Sequence, residues 1–218
     1  MLDKKKFYIN GKWVNPLKPN DFEVINPSNE KPFAIISLGS KEDTDAAVYA
    51  ARKAFKEWKE TSKEQRINLL EKLLKIYKKK FNEMALAIST EMGAPIDWAT
   101  SVQTASGQSH LEDFILRLKN FNFENKFDTN SNNLISYEPI GVCGLITPWN
   151  WPINQITLKV IPALATGCTM ILKPSEIAPI SAMLFAEMID EVGFPAGVFN
   201  LVNGDGTGVG TQISGHPD

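Results

Sequence analysis

The residues best suited to chemistry lie in three short segments, each directly after an apolar run. The first segment holds Asn150 between two prolines, the second holds Lys173 and Glu176, and the third is a glycine run that begins at Gly204. A carboxamide with rigid neighbours can donate an N–H to an oxyanion. From spacing alone, an equally good interpretation is that Asn150 only caps the helix that follows it.

Lys173 and Glu176 lie three residues apart, so one turn of backbone can bring both to a shared ligand. The lysine donates and the carboxylate accepts, which suits the vicinal hydroxyls of a ribose. The alternative interpretation, a solvent-exposed ion pair at a helix start, is the one that spacing alone favours.

The glycine run, from Gly204 to Gly210, would let the backbone approach a diphosphate and present N–H groups to it. The G-x-G-x-x-G pattern fails at Val209 when it is started from Gly204, and at Thr211 when it is started from Gly206. A flexible turn is therefore an equally good interpretation of this run.

These segments are positioned by alternating strands and helices in the last part of the chain. Strands are predicted at 142–146, 169–172 and 198–202, with helices at 152–165 and 179–192 between them. Short connections between such elements predict a parallel sheet with right-handed crossovers. All three loops then meet at one sheet edge, where open α/β folds bind ligands.

The preceding part of the chain contains extended segments followed by helices. Asn10-Gly11 predicts a type I′ hairpin, and further extended segments reach residue 38. Ser40 with Asp43 opens one helix, and Ser62 with Gln65 opens a second that continues to Gly93. A third helix is predicted at 96–118, and a surface loop or exposed edge strand at 120–133. The predicted inner face of the third helix consists of Trp98, Val102, Ala105, Phe114, Ile115 and Leu118.

Composition excludes several classes of partner. The chain has 23 Lys and Arg against 25 Asp and Glu, so neither nucleic acid nor an anionic membrane is an expected partner. The uncharged run at 139–158 is interrupted by prolines and asparagines, and no export signal is recognised, so the expected location is cytoplasmic. Cys143 and Cys168 have no metal-ligand spacing, and apolar sequence neighbours favour buried structural thiols. No metal site is predicted.

Several motifs, in order and spacing, resemble the NAD(P)-dependent aldehyde dehydrogenase family across essentially the whole chain. The motifs are Phe7 to Val14, Asn26-Pro27, Glu138-Pro139-Ile140-Gly141-Val142, Pro148-Trp149-Asn150-Trp151-Pro152, Leu172-Lys173-Pro174-Ser175-Glu176 and Gly193-Phe194-Pro195-Ala196-Gly197-Val198-Phe199-Asn200. A related acyl-phosphate reductase fits less well, because the Trp149-Asn150-Trp151 loop is characteristic of true aldehyde dehydrogenases.

The resemblance implies a role for each segment. It implies that Asn150 is the oxyanion-hole amide for a thiohemiacetal, and that Lys173, Ser175 and Glu176 belong to the ribose-binding motif. Residues lining the dinucleotide cleft would be Ile146, Thr147, Pro148 and Trp149, with Gly206 and Gly210 beside the adenine and diphosphate. An acidic residue at the ribose repels a 2′-phosphate, so NAD is the expected cofactor, with NADP use left open.

The resemblance also implies that this chain is the N-terminal, cofactor-binding part of a longer enzyme. The catalytic cysteine and general-base glutamate would lie beyond residue 218, so the chain alone is expected to be inactive. The expected fold is an incomplete, doubly wound, Rossmann-like α/β domain preceded by hairpins and helices. Its predicted divisions are 1–120 (hairpins and helices), 121–137 (an oligomerisation-type strand or surface loop) and 138–218 (the first part of the cofactor core).

Two functional hypotheses follow. In the first, the full-length enzyme is a homo-oligomer that oxidises an aldehyde to a carboxylic acid. In the second, the chain is a stand-alone dinucleotide-binding or interaction module without catalysis. A companion chain that carries the cysteine would favour the first, and tight nucleotide binding without any partner would favour the second.

Overall fold

A computed structural model describes residues 1–128 and 132–218, and it is an α/β fold. Ten strands are found in these residues: β1 Leu2–Asp3, β2 Phe7–Ile9, β3 Lys12–Val14, β4 Asp21–Asn26, β5 Lys31–Ser37, β6 Glu124–Lys126, β7 Leu134–Ser136, β8 Val142–Ile146, β9 Thr169–Lys173 and β10 Phe199–Leu201. The α-helices are α1 Lys41–Trp58, α2 Lys63–Lys79, α3 Phe81–Met92, α4 Ile96–Trp98, α5 Ala105–Asn120, α6 Pro152–Thr166, α7 Ile180–Val192 and α8 Thr211–Ser214. Two π-helical turns, Ala99–Thr104 and Gly206–Gly210, precede α5 and α8.

The central sheet has five strands in the order β3-β2-β10-β9-β8. The strands β8, β9 and β10 are parallel and adjacent, which confirms the predicted parallel pairing. The N-terminal hairpin β2–β3 extends this sheet, because β2 pairs antiparallel with β10. The predicted segments 1–120 and 138–218 therefore share one sheet.

Helices cover both faces of the sheet, as the doubly wound prediction requires. Met170 and Leu172 face the cluster formed with α6 and α7, while Ile171 packs on the other side against α1. The hydroxyl of Thr169 donates to the backbone carbonyl of Ala51, which fastens α1 to β9. The second face is thus covered by a helix that precedes the sheet.

The strand β8 lies at the end of the sheet order and is less buried than its neighbour. Gly144 and Ile146 are exposed, whereas every residue of β9 is buried. A parallel strand with an unpaired edge is typical of a sheet that can accept another strand.

The predicted helix starts are confirmed, but one predicted helix is two helices in the structure. Ser40 and Ser62 each form the predicted capping box. The long helix predicted from Ser62 to Gly93 is wrong, because the backbone leaves helical geometry at Lys80, where φ is −96° and ψ is 16°. The apolar stripe continues across this break, so periodicity alone did not reveal it.

The inner face predicted for the third helix is wrong at its start. Trp98 is 48% exposed, whereas Ile115 and Leu118 are buried as expected. The π-helical turn at Ala99–Thr104 explains the difference, because it adds residues to a turn and rotates the preceding side chains away from the α-helical stripe.

The region 120–133 contains a paired strand. β6 pairs antiparallel with β7, and the residues of both strands are exposed, in agreement with the edge-strand alternative. Residues 129–131 of this region lie outside the described residues. Among the helices that the structure describes, none has the length and hydropathy needed to cross a bilayer.

Candidate functional site

The loops after β8 and β9 begin side by side. Ile146 is in register with Lys173, and the backbone N–H of Thr147 donates to the carbonyl of Lys173 at 3.1 Å. Thr147 is buried, while Ile146 and Trp149 are exposed. The parallel register thus brings the first two predicted segments to one sheet edge.

Lys173 is the centre of this arrangement. Its side chain is buried, and its ammonium donates to the backbone carbonyl of Gly204 and lies 3.4 Å from a carboxylate oxygen of Glu176. The interpretation as a solvent-exposed ion pair is therefore wrong, because the sheet and the third loop cover the lysine. Burial lowers the pKa of Lys173, against the raising effects of Glu176 and Asp205.

The glycine segment is an ordered turn. Asp205 caps the π-helical turn, since its Oδ1 accepts from the backbone N–H of Gly208 at 2.6 Å. A Cβ at Gly210 would lie 3.9 Å from the Lys173 side chain, whereas one at Gly206 would meet nothing within 4 Å. The segment is therefore packed against Lys173 at one end and open at the other.

Asn150 is exposed and does not cap α6. The N-cap residue is Trp151, with no side-chain capping hydrogen bond, and the Asn150 amide makes no hydrogen bond within the described residues. The helix-cap interpretation is therefore wrong. The indole ring of the next residue, Trp151, is fixed by contacts with other segments. Its Nε1–H donates to the hydroxyl of Ser106 at 3.4 Å, and the ring packs against Trp98.

Ser175 and Pro148 differ in their surroundings. Ser175 is buried, and its hydroxyl accepts from the backbone N–H of Ile177 at 3.3 Å, which stabilises the turn after β9. Pro148 is exposed beside Trp149. The predicted cofactor residues thus lie in the three adjoining loops, except Ile146 and Lys173, which are the last residues of β8 and β9. Ser175 already shapes its own loop through the hydrogen bond from Ile177.

Two supporting carboxylates were missed from the sequence. Asp205 sits at an N-cap position three residues before Gly208, a pattern that could have been recognised. Glu91 is buried and accepts from the backbone N–H groups of Ile180 and Ser181, so it caps α7 from a distance. The signal for Glu91 was a charged residue on the inner stripe of α3.

The two thiols lie at the other end of the strands. Cys143 is the second residue of β8 and Cys168 directly precedes β9, whereas the loops with Asn150 and Lys173 follow the last residues of these strands. The described residues therefore place no thiol beside Asn150.

Comparisons with known proteins agree with this arrangement. The sequence profile of the aldehyde dehydrogenase family matches residues 13–218. A 3-succinoylsemialdehyde-pyridine dehydrogenase from a Pseudomonas species is 52% identical over 219 residues, covering 100% of this chain and 45% of that protein. An aldehyde dehydrogenase from Bartonella henselae superposes with a TM-score of 0.99 at 57% identity, covering 100% of this chain and 46% of the other.

A third relative was solved with ligands. Aldehyde dehydrogenase C from Pseudomonas syringae, in a variant form complexed with NAD+ and octanal, has a TM-score of 0.95 at 46% identity, covering 98% of this chain and 43% of that one. This chain spans less than half the length of each of these relatives. Profile, identity and superposition together establish that the chain belongs to the aldehyde dehydrogenase family.

Proposed function

We propose that this chain is the dinucleotide-binding half of an NAD-dependent aldehyde dehydrogenase that oxidises an aldehyde to a carboxylic acid. The observation that carries the proposal is the buried Lys173 ammonium, which joins Glu176 to the loop at Gly204. An ammonium is placed in a buried position only at a cost, which indicates a binding role at this sheet edge.

The donor set fits NAD. Lys173 supplies N–H donors and Glu176, one quarter exposed, supplies an acceptor, the combination that a ribose diol requires. Open space at Gly206 admits the close approach of a diphosphate to the backbone. The carboxylate of Glu176 repels a 2′-phosphate, which supports NAD over NADP. Bound NAD+ would supply the hydride acceptor.

Asn150 would stabilise the negative charge that develops on the aldehyde oxygen. Its amide has no partner in the described residues, so its N–H donors are available without breaking an existing hydrogen bond. Pro148 and Pro152 limit the backbone on both sides, which keeps the donor in place as charge develops. Ile146, Thr147 and the exposed ring of Trp149 form the adjoining wall.

We further propose that the 218-residue chain alone does not oxidise aldehydes. The enzyme chemistry of the family needs a cysteine nucleophile and a general-base glutamate, and Cys143 and Cys168 lie away from Asn150. The exposed edge of β8 would accept a strand from the rest of the enzyme.

NAD+ binding to the purified chain, measured by isothermal titration calorimetry, tests the cofactor proposal. We expect Lys173→Met and Glu176→Gln each to weaken binding by about tenfold or more, as expected for lost hydrogen bonds to charged groups. The pair Lys119→Met and Glu71→Gln removes a surface ion pair of 2.6 Å and serves as the matched control. Binding that survives both site variants would contradict the proposal.

The same titrations with NADP+ test selectivity. Glu176→Gln removes the charge and keeps the shape, so it should narrow the preference for NAD+ over NADP+. An unchanged preference for NAD+ over NADP+ would show that Glu176 does not discriminate between the 2′-hydroxyl and the 2′-phosphate of the ribose.

Absorbance of NADH during incubation with NAD+ and octanal tests the activity proposal. We expect no turnover from the chain alone. The proposal that the chain alone is inactive would be contradicted by aldehyde oxidation that co-purifies with the chain and is reduced in the Asn150→Ala variant.

The proposal includes a homo-oligomeric full-length enzyme in the cytoplasm. The hairpin β6–β7 supports oligomerisation, because it exposes apolar side chains at Leu134 and Ile135. The two free thiols are typical of a reducing compartment. Sedimentation of the full-length enzyme with and without Leu134→Ser tests the oligomerisation surface.

A further inference from the structure

Two hydrogen-bonded pairs join α5 to the residues that follow Asn150. The indole Nε1–H of Trp151 donates to the hydroxyl of Ser106 at 3.4 Å, and Nε2 of the His110 imidazole lies 2.7 Å from Oδ1 of Asn154. Ser106 and His110 are four residues apart, so both lie on the same face of α5. This face of α5 therefore makes two successive polar contacts with the start of α6.

These pairs lie at a partly open surface and not in the core. All four side chains are half-buried, and Leu158, one turn after Asn154 on α6, is 40% exposed. The inner face of α6 is apolar instead, with Ile153 and Ile156 fully buried. A Cβ at Gly107 would lie 2.9 Å from Ile153, so the two helices are in close contact there. The polar pairs therefore follow the solvent side of the contact between α5 and α6.

The contact with His110 determines which end of the Asn154 amide is free. An amide oxygen can only accept, so His110 donates its Nε2–H, and the Nδ2 group of Asn154 is left with its N–H donors. Within residues 1–128 and 132–218, this Nδ2 group makes no hydrogen bond. The amide of Asn150 has no partner there either. The segment therefore presents two carboxamides with unpaired donors, four residues apart.

The two amides are close enough to bind one small molecule together. Four residues of chain span at most about 14 Å between Cα atoms, and less here because α6 begins at Pro152. Two hydrogen bonds of about 2.9 Å and two short side chains take up most of that span. The rest corresponds to a few bonded carbon atoms. An aldehyde whose oxygen lies at Asn150 can therefore place a second polar group at Asn154.

We propose that Asn154 is a specificity-determining residue of the aldehyde site, and that His110 is a positioning residue that holds its amide. The Asn154 amide donates to a ketone or carboxylate oxygen on the chain of an aldehyde whose reacting oxygen lies at Asn150. The preferred substrates are then short aldehydes that carry such an oxygen a few carbon atoms from the aldehyde carbon. This inference rests on the proposed function, because it needs the aldehyde at Asn150.

The selectivity comes from the cost of leaving a donor without a partner. A plain alkanal that fills the same space displaces water from the Asn154 amide and offers it no acceptor. The ring of Trp98 lies 6.2 Å from that of Trp151 and is 48% exposed, so it offers an apolar contact to either kind of aldehyde. Asn154 is therefore the group that distinguishes the two kinds.

Steady-state kinetics of the complete enzyme with three matched aldehydes tests the inference. Pentanal, levulinaldehyde and succinic semialdehyde are similar in length and differ at the chain end, which carries no oxygen, a ketone or a carboxylate. We expect kcat/KM for the two oxygen-bearing aldehydes to exceed that for pentanal by about tenfold or more. The larger of the two values identifies the preferred acceptor. No advantage for either one would overturn the inference.

Substitutions of Asn154 test whether its amide is the cause. Asn154→Ala should reduce the ratio of kcat/KM for the oxygen-bearing aldehydes to that for pentanal by about tenfold. Asn154→Asp keeps the shape but presents acceptors only, so the same ratio should fall, and most for succinic semialdehyde because its charge is repelled. The matched control is Asn120→Ala at the end of α5, where the amide donates to the Leu116 carbonyl at 2.9 Å. It should leave the ratio unchanged.

Substitutions of His110 test the positioning role and provide a second route if the Asn154 variants do not fold. His110→Leu removes the donor that holds Asn154, so it should lower the ratio about as much as Asn154→Ala. His110→Gln retains an N–H donor and should keep most of the ratio. The loss should appear mainly as a higher KM for the oxygen-bearing aldehydes, because the chain end is bound equally in ground and transition states.

A purely structural role for the pair gives a different result. If His110 and Asn154 only tie α5 to α6, their substitution should change kcat/KM for all three aldehydes by the same factor, and that result would overturn the inference. Oxidation of pentanal without any selectivity would overturn the inference and leave the proposed function standing. No NAD+-dependent oxidation of any of the three aldehydes would overturn both.

Discussion

The ammonium of Lys173 donates a hydrogen bond to the backbone carbonyl of Gly204, which is 31 residues further along the chain. This contact joins the loop after β9 to the loop after β10. The Lys173 side chain therefore stabilises the edge of the sheet and is also a candidate ligand for the nucleotide.

The protonation of Lys173 should control nucleotide binding. Because burial lowers its pKa, the side chain loses its charge at lower pH than an ordinary lysine. We therefore expect NAD+ affinity to fall as pH rises toward the ordinary lysine pKa of about 10.4, measured by calorimetry. Lys173→Arg stays charged in this range, so its affinity should not change with pH whatever its absolute value. A parallel decline in both proteins would assign the effect to another group.

The exposed position of Asn150 predicts a small effect on stability. We expect Asn150→Ala to change the free energy of unfolding by less than about 0.5 kcal/mol, because its amide caps nothing. Ser62→Ala is the control, since Ser62 accepts from the Gln65 backbone at 3.1 Å and its loss should cost about 1 kcal/mol. Urea unfolding of the three proteins measures this, and equal losses would restore the cap interpretation.

Asn150 should matter for turnover in a protein that contains the complete enzyme. There, Asn150→Ala should lower kcat by about a hundredfold, the usual loss for an oxyanion donor, with a smaller change in KM. Steady-state kinetics measures both constants. A change confined to KM would indicate that Asn150 contributes ground-state binding only.

Glu91 should make stability depend on pH. Burial raises the pKa of Glu91 to about 7 from 4.5, against the lowering effects of hydrogen bonds from Ser181 and Ile180. Because the folded pKa lies above the unfolded one, its contribution is fully present below pH 4.5 and is lost as pH rises through about 7.

The matched variant for this prediction is Glu91→Gln, which cannot ionise. Between pH 4.5 and 8 we expect the wild-type chain to lose on the order of 3 kcal/mol of unfolding free energy relative to this variant. Urea unfolding at the two values measures the difference. A constant difference would show that Glu91 is charged, or neutral, throughout this range.

Asn200 should hold the N-terminal hairpin on the sheet. Its side chain is fully buried, donates to the carbonyls of Met170 and Gly197, and accepts from the backbone N–H of Asn10. Asn200→Ala leaves these groups unpaired, so we expect a loss of about 2–4 kcal/mol in unfolding free energy.

Asn68→Ala on the exposed face of α2 is the control for Asn200, and we expect it to stay within about 0.5 kcal/mol of wild type. Hydrogen exchange should show faster opening of the hairpin in Asn200→Ala alone. Unchanged protection of the hairpin amides from hydrogen exchange would show that apolar contacts alone hold the hairpin on the sheet.

The sequence by itself determined the elements whose causes lie within a few residues. The turn at Asn10-Gly11 formed with positive φ at both positions, and the capping boxes at Ser40 and Ser62 began helices where predicted. β8 has the predicted bounds of 142–146, because an apolar run and its flanking turn residues are local features. The order of the three candidate loops followed from the same reasoning, since parallel strands share one edge.

Tertiary structure decided what depends on residues far apart in the chain. The pairing of β2 with β10, the cap that Glu91 gives α7 and the burial of Lys173 all require segments to meet that no local pattern connects. The same holds for Arg66, whose buried guanidinium packs against Gly167, far from it in the chain. Local hydrogen bonds set turns and caps, whereas the charge state of a side chain is set by every group that packs around it, and only the folded chain brings those groups together.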